Sequence, residues 1–236
     1  MDKTDLLFFS RRPTQHQPLL GLTILLVEDS RFASEAIRLM GLRSGARIRR
    51  ADCLQTARRH LAAYRPTVAL VDLGLPDGSG LDLLQLLAEM TPRIPVLIGT
   101  SGDTNLQEDV MRTGANGFLA KPITQLATFQ TAILRHLPAE RQPQGLRLVA
   151  QDAVAPDHIA LRDDLTHVAR LLDQDGTNLP YVTQFLGGIA RSANDRDLDL
   201  AVRAVAHSCH AETQPRKEIA ALSQLVQKRI AAAGFL

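Results

Sequence analysis

The stretch Leu70-Val71-Asp72-Leu73-Gly74-Leu75-Pro76-Asp77-Gly78-Ser79-Gly80 sets the frame for the whole chain: an apolar run stops at a carboxylate, and a loop dense in Gly and Pro follows. Thr67 to Val71 shows no polar alternation after its first residue, which fits a parallel strand covered on both faces. The Pro and Gly residues then end the strand at once. Three other apolar runs finish in polar chemistry: Leu22 to Val27 stops at Glu28-Asp29, Ile94 to Gly99 at Thr100-Ser101, and Asn116 to Ala120 at Lys121-Pro122. In an open parallel α/β sheet, ligands bind outside the carboxyl ends of the strands, near the point where strand order reverses. Glu28, Asp29, Asp72, Thr100 and Lys121 are therefore expected to converge on one site.

That set of groups points to phosphoryl chemistry. Glu28, Asp29 and Asp72 are hard oxygen ligands suited to Mg²⁺, an octahedral ion that keeps several waters and is used beside phosphates. The transition state of phosphoryl transfer spreads charge over three equatorial oxygens. A metal, the Lys121 ammonium and the Thr100 hydroxyl would stabilise it while the Asp72 carboxylate attacks in line. A single buried acid beside a lysine would read as a structural ion pair; four strand ends carrying complementary groups read as a site.

Helical patterns alternate with the strands. Ser30 can cap a helix bearing Phe32, Ala36, Ile37 and Met40 on one face, and Ala46 to Ala51 forms a second strand. Further helices are expected over Cys53–Tyr64, Gly80–Met90, from Asp103 or Thr104 to Gly114, and from Thr124 to Leu137. Five βα units result. In these residues the chain resembles the receiver domain of two-component response regulators, with the CheY-like (flavodoxin-like) doubly wound, five-stranded parallel sheet.

The resemblance covers residues 22 to about 137 and implies specific roles. Glu28-Asp29 matches the acidic pair, Asp72 the phosphoacceptor, Pro76 and Gly80 the proline and glycine of the following loop, Thr100 the switch hydroxyl, and Lys121-Pro122 the lysine with its proline. Phe118 falls at the aromatic switch position. The resemblance further implies that the Gly74 backbone carbonyl is a metal ligand, and that a histidine kinase or phosphotransfer protein supplies the phosphoryl group. It also implies a two-state switch in which Thr100 moves toward the phosphoryl group and Phe118 turns inward. Such a protein is a phospho-accepting signalling molecule, capable at most of dephosphorylating itself, and not an enzyme acting on a separate substrate.

At 236 residues the chain exceeds one receiver, so two domains are expected. Residues 1–20 are expected to be a flexible leader, because Ser10 to Pro18 is polar and proline-containing; within it Leu6 to Phe9 is a short apolar cluster. The receiver spans 21–137. Pro138 to Gly145 has the composition of a linker, placed at 138–156. No run is long enough to span a bilayer and no signal-peptide pattern opens the chain, so a cytoplasmic protein without membrane contact is expected. Cys53 and Cys209 are then free thiols.

Residues 157–236 carry almost no strand signal. Four helices are expected over about Asp157–Gln174, Pro180–Asn194, Asp197–Glu212 and Pro215–Ala233, and short connections favour an all-α antiparallel four-helix bundle. The segment has neither a compact basic recognition helix nor the strands of a wing, which argues against nucleic acid and against a DNA-binding transcriptional regulator. Arg216, Lys217, Lys228 and Arg229 are spaced like a solvated helix face. In the third helix, Leu198, Val202, Val205 and Cys209 define a buried stripe, placing His207 on the opposite side with Leu200, Ala204 and Ala211. This resembles the histidine phosphotransfer (HPt) domain, although His207-Ser208-Cys209-His210-Ala211 stands where that family has His-x-x-Lys-Gly. His158, His167 and His210 read as surface residues and not as metal ligands.

Two outputs follow from the sequence. In one, the bundle engages an output protein, or a second copy as a homodimer, according to the phosphorylation of Asp72. In the other, His207 exchanges phosphoryl groups and the chain is a phosphorelay component.

Overall fold

The computed structural model describes residues 12–143, 158–174, 178–210 and 216–233. Leu6 to Phe9, most of the expected linker and Ala211 lie outside the described residues. The chain divides into two compact units, one of 1–29 and 36–155, the other of 30–35 and 156–236.

The first unit is built on five parallel strands: β1 (Thr23–Val27), β2 (Arg47–Ala51), β3 (Val68–Asp72), and two more that follow a small hairpin. That hairpin, β4 (Gly74–Leu75) with β5 (Gly78–Ser79), is antiparallel and occupies the loop after Asp72. The remaining sheet strands are β6 (Val96–Ser101) and β7 (Gly117–Ala120), and the order is β2-β1-β3-β6-β7. The chain thus builds outward from β1 to β2, then returns past β1 to β3. This reversal places a crevice at the carboxyl ends of β1 and β3.

Strand alternation decides how the sheet is covered. Ile24, Leu26, Val68, Leu70, Val96 and Ile98 face one side and pack with Ile37 and Met40 of α1 (Arg31–Arg43), and with Phe129 and Ile133 of a helix near the end of the unit. Leu25, Val27, Ala69, Val71 and Leu97 face the other side. There they meet Leu54 and Ala57 of α2 (Leu54–Ala63), Leu83, Leu84 and Leu87 of α3 (Gly80–Glu89), and Val110 of α4 (Gln107–Arg112). The helix carrying Phe129 and Ile133 is α5 (Leu126–Leu134). Each fully buried side chain of this size stabilises the fold by about 1.5–3 kcal/mol. Unbroken apolar runs in the sequence are therefore the direct trace of strands buried on both faces.

Helix ends follow local chemistry. The Ser30 Oγ accepts from the Ala33 N–H at 3.0 Å and Ser79 Oγ from Leu81 N–H at 3.2 Å, while Cys53 Sγ accepts from Thr56 N–H. The helix expected from Thr104 is short: a 3₁₀ turn over Thr104–Leu106 precedes α4.

Two boundaries differ from expectation. Pro18 and Leu19 are buried, Leu19 completely, and Leu19 N–H donates to the Ser44 carbonyl at 2.9 Å. Packing of the first unit thus begins before residue 20, because an apolar side chain next to the proline fills the end of the core. At the other end, the expected linker opens with a 3₁₀ turn over Ala139–Arg141, and the Gln142 side chain donates to the carbonyls of Leu134 and Leu137, satisfying the end of α5.

The second unit is helical: α6 (His158–Leu172), α7 (Leu179–Ser192), α8 (Arg196–His210) and α9 (Arg216–Ala233). Each packs on two others, α6 on α7 and α9, and α8 on α7 and α9. The core holds Leu165, Val168, Leu186, Ile189, Val205 and Val226 among others. Asn178 caps α7, and Asn194, at φ 56°, ends it in the left-handed conformation. Arg229 departs from the expected solvated face. Its guanidinium grips the Asp195 carboxylate with Nε at 2.6 Å and Nη2 at 3.1 Å, and reaches Asp197 at 3.2 Å. Hydrogen bonding to this arginine holds the Asp195 carboxyl below the ordinary carboxylate range.

Candidate functional site

The predicted strand ends meet. Glu28 and Asp29 follow β1, Asp72 ends β3, and one ligand oxygen from each lies within 4.8 Å of those of the other two. Thr100 is the in-register neighbour of Asp72 across β3 and β6, and both are buried. Lys121 follows β7, where its N–H donates to the Ser101 carbonyl at 2.8 Å. Its Nζ lies 2.6 Å from Glu28 Oε2 and 2.9 Å from Asp72 Oδ1, with little exposure on any of the three side chains. The peptide bond Lys121–Pro122 is cis.

Burial pushes the Asp72 carboxyl up to about 6, against the lowering influence of Lys121 and with Glu28 adding to the rise. A backbone hydrogen bond from Gly74 lowers it in part. For Lys121, burial alone would favour the neutral amine, but the charges of Asp72 and Glu28 and their hydrogen bonds outweigh it and raise the pKa. The site therefore consists of an anionic cluster with one firmly protonated lysine. Three carboxylates so close, with the Lys121 ammonium beside two of them, suit a small, hard divalent ion.

Gly80 gives this arrangement its tightest contact. A Cβ there would lie 2.0 Å from the Asp72 carbonyl oxygen, and the Gly80 N–H donates to the Leu73 carbonyl at 3.0 Å. Gly80→Ala is expected to displace the end of β3 and to cost about 2–3 kcal/mol, read as a lower midpoint in chemical denaturation with weakened cation binding.

Two contributors are not evident from the sequence. Asp77, in the hairpin turn after Asp72, accepts from the N–H groups of Leu54 and Gln55 at 2.8 and 2.9 Å and so fastens this loop to the start of α2. Arg50, near the end of β2, donates from Nη2 to the Asp29 carbonyl at 2.8 Å. Both are tertiary pairings over twenty or more residues, for which the sequence gives no local signal. Phe118 is partly buried and packs against the core on the α3–α4 side. Pro76 is exposed at the hairpin tip.

In the second unit, α8 buries Leu198, Val202 and Val205, while Leu200, Ala204 and His207 are exposed, as the helical spacing predicts. His158 and His167 are exposed, and the His167 ring meets Phe185 edge-on. The side chain of His210 lies outside the described residues. Cys53 and Cys209 are free thiols.

The chain is also similar to known proteins. Residues 24–133 match the response regulator receiver domain. The chain is 32% identical over 152 residues to response regulator protein PilR of Pseudomonas aeruginosa, covering 62% of this chain and 33% of that protein. It is 28% identical over 117 residues to the virulence transcriptional regulatory protein PhoP of Salmonella typhimurium, covering 48% of this chain and 52% of PhoP. The chain thus spans a third to about half the length of these relatives. Among solved structures, a putative response regulator from Chloroflexus aurantiacus superposes with a TM-score of 0.45 at 23% identity, over 49% of this chain and 96% of the other. The N-terminal part of the chain is a response regulator receiver domain.

Proposed function

We propose that the chain is a cytoplasmic response regulator that accepts a phosphoryl group on Asp72 and signals by protein contact through its C-terminal helices. The observation that carries this reading is the buried Asp72 carboxylate, held 2.9 Å from the Lys121 ammonium and grouped with Glu28 and Asp29. With Asp72 pushed up only to about 6, its nucleophilic carboxylate form prevails at neutral pH.

Glu28, Asp29 and Asp72, with the Gly74 carbonyl, would hold Mg²⁺, which supplies charge neutralisation at the phosphoryl oxygens. An Asp72 oxygen attacks phosphorus, the bond to the donor's leaving group breaks with its electron pair, and an acyl phosphate remains on Asp72. Lys121 holds a phosphoryl oxygen as charge builds there, and the Thr100 hydroxyl moves in to hold another. Phe118 takes the space that Thr100 vacates, so the surface around α4, β7 and α5 reports the phosphorylated state. A bias of a few kcal/mol suffices for such a switch. The partners of this reading are a histidine kinase or phosphotransfer protein upstream and an output protein downstream. Among the described residues, no helix is long and apolar enough to cross a membrane.

The exposure of His207 beside Leu200 and Ala204 favours one second reading, a relay in which a four-helix HPt-like bundle exchanges phosphoryl groups through that histidine. One experiment tests both. The protein is incubated with acetyl phosphate and Mg²⁺ beside Asp72→Asn, and the label is located by mass spectrometry. Label on Asp72, absent in the variant, is expected. Additional label on His207 would make the chain a relay, and wild-type protein without label on Asp72 would overturn phosphoacceptance.

A further inference from the structure

Arg50, next to the last residue of β2, has no part in the phosphoryl chemistry proposed for Asp72. It lies on β2, the edge strand of the sheet, in a run that reads Arg47-Ile48-Arg49-Arg50. Charged side chains on an edge strand ordinarily deter pairing with another chain, and they do so by pointing outward into solvent. The exposed Arg50 side chain instead turns across the end of β1, where its Nη2 donates to the Asp29 carbonyl at 2.8 Å. Behind it, the Arg50 carbonyl lies 3.0 Å from a ring nitrogen of His60 on α2, and β2 keeps pairing past the end of β1 through the Glu28 N–H to the Ala51 carbonyl. The guanidinium is thus anchored at the rim of the acidic cluster while remaining in contact with solvent.

The charge balance of the site gives this position a consequence. Glu28, Asp29 and Asp72 carry three negative charges against one positive charge on Lys121. A bound divalent cation brings that set only to neutrality. A phosphoryl donor is itself an anion, so the groups inside the site repel it when empty and give it no long-range attraction when loaded. Lys121 cannot supply that attraction, being buried and already committed to two carboxylates. An exposed guanidinium fixed at the mouth can, and it also has the planar donor geometry that suits phosphate.

We propose that Arg50 is a positioning residue that recruits anionic phosphoryl donors to Asp72. This inference rests on phosphoacceptance by Asp72. It assigns to the rim of the site a preference for donors of high negative charge, separate from the chemistry within.

The test measures the second-order rate of Asp72 labelling in the full chain with Mg²⁺, for wild type, Arg50→Met and Arg50→Lys. Two donors are used: acetyl phosphate, and phosphoramidate, which carries one negative charge fewer near neutral pH. Arg50→Met is expected to slow labelling by acetyl phosphate about fivefold at low ionic strength. The loss should be smaller with phosphoramidate, and should shrink toward unity at high salt as exposed charges are screened. Arg50→Lys, which keeps the charge, should retain most of the rate. Equal losses with both donors, independent of salt, would show that Arg50 merely braces Asp29 and would overturn recruitment; so would an unchanged rate. If wild-type Asp72 takes no label from either donor, phosphoacceptance itself falls, and recruitment with it.

Discussion

Asp72→Asn is expected to stabilise the cation-free protein at neutral pH by on the order of 3 kcal/mol. The carboxyl sits at the buried end of β3 with its pKa raised from 3.8 to about 6. A raised carboxyl holds its proton in the folded state after the unfolded chain has released it. Its ionisation therefore costs stability as pH climbs from near 3.8 to about 6, and the full cost is present above that range. Asparagine has no such ionisation. The advantage of the variant should thus be close to nil below the lower value, grow through the interval, and level off above it. Denaturation midpoints for both proteins across this range, with a chelator present, read the curve directly. Adding Mg²⁺ should erase the difference, because the cation favours the charged form of wild-type Asp72. A difference that did not change with pH would mean that burial does not raise this carboxyl.

The same residue shows why so much of the receiver could be read from the chain. Val68 to Asp72 is buried throughout, so the sequence has no room for polar alternation, and the first polar residue marks the strand's end. Glu28, Thr100 and Lys121 follow apolar runs in the same way, and a parallel sheet brings such ends to one edge. Gly80 was marked in the sequence by the resemblance alone, and the structure supplies the steric reason: the chain passes the Asp72 carbonyl too closely for any side chain. Other features carry no comparable trace. Leu19 reads as part of a polar leader because Leu19-Leu20 is too short an apolar run to show periodicity, yet Leu19 is wholly buried. Arg229 was indistinguishable from its exposed neighbours until the turn carrying Asp195 came within 2.6 Å of it. Asp77 and Arg50 act on backbone groups of distant segments, and a backbone amide or carbonyl has no letter in the sequence. The helices of the second unit were legible from their apolar spacing. Spacing alone places His207 on an open face and says nothing of what meets it.

Lys121→Met should be the most damaging single change in the site. The ammonium lies between Glu28 and Asp72, 2.6 and 2.9 Å from their oxygens, in a setting with little exposure. Removing one partner of a buried ion pair leaves the other charge uncompensated, at a cost of about 3–5 kcal/mol. Two carboxylates would then face each other, each disfavouring the other's ionisation. Since Lys121 lowers the Asp72 pKa in the wild type, its loss drives that carboxyl higher still, and the variant recovers stability as the pH falls and a proton takes the place of the ammonium. Mg²⁺ should likewise restore stability by neutralising the acids. It should not restore phosphoryl uptake, because the oxygen that Lys121 would hold in the transition state is left without its cation. Denaturation with and without Mg²⁺, followed by labelling of Asp72 under the stabilising condition, separates the two roles. If the variant loses labelling but keeps full stability without the cation, the ion pair contributes to chemistry alone. If Mg²⁺ restores labelling together with stability, Lys121 serves the fold and the phosphoryl group is held by other residues.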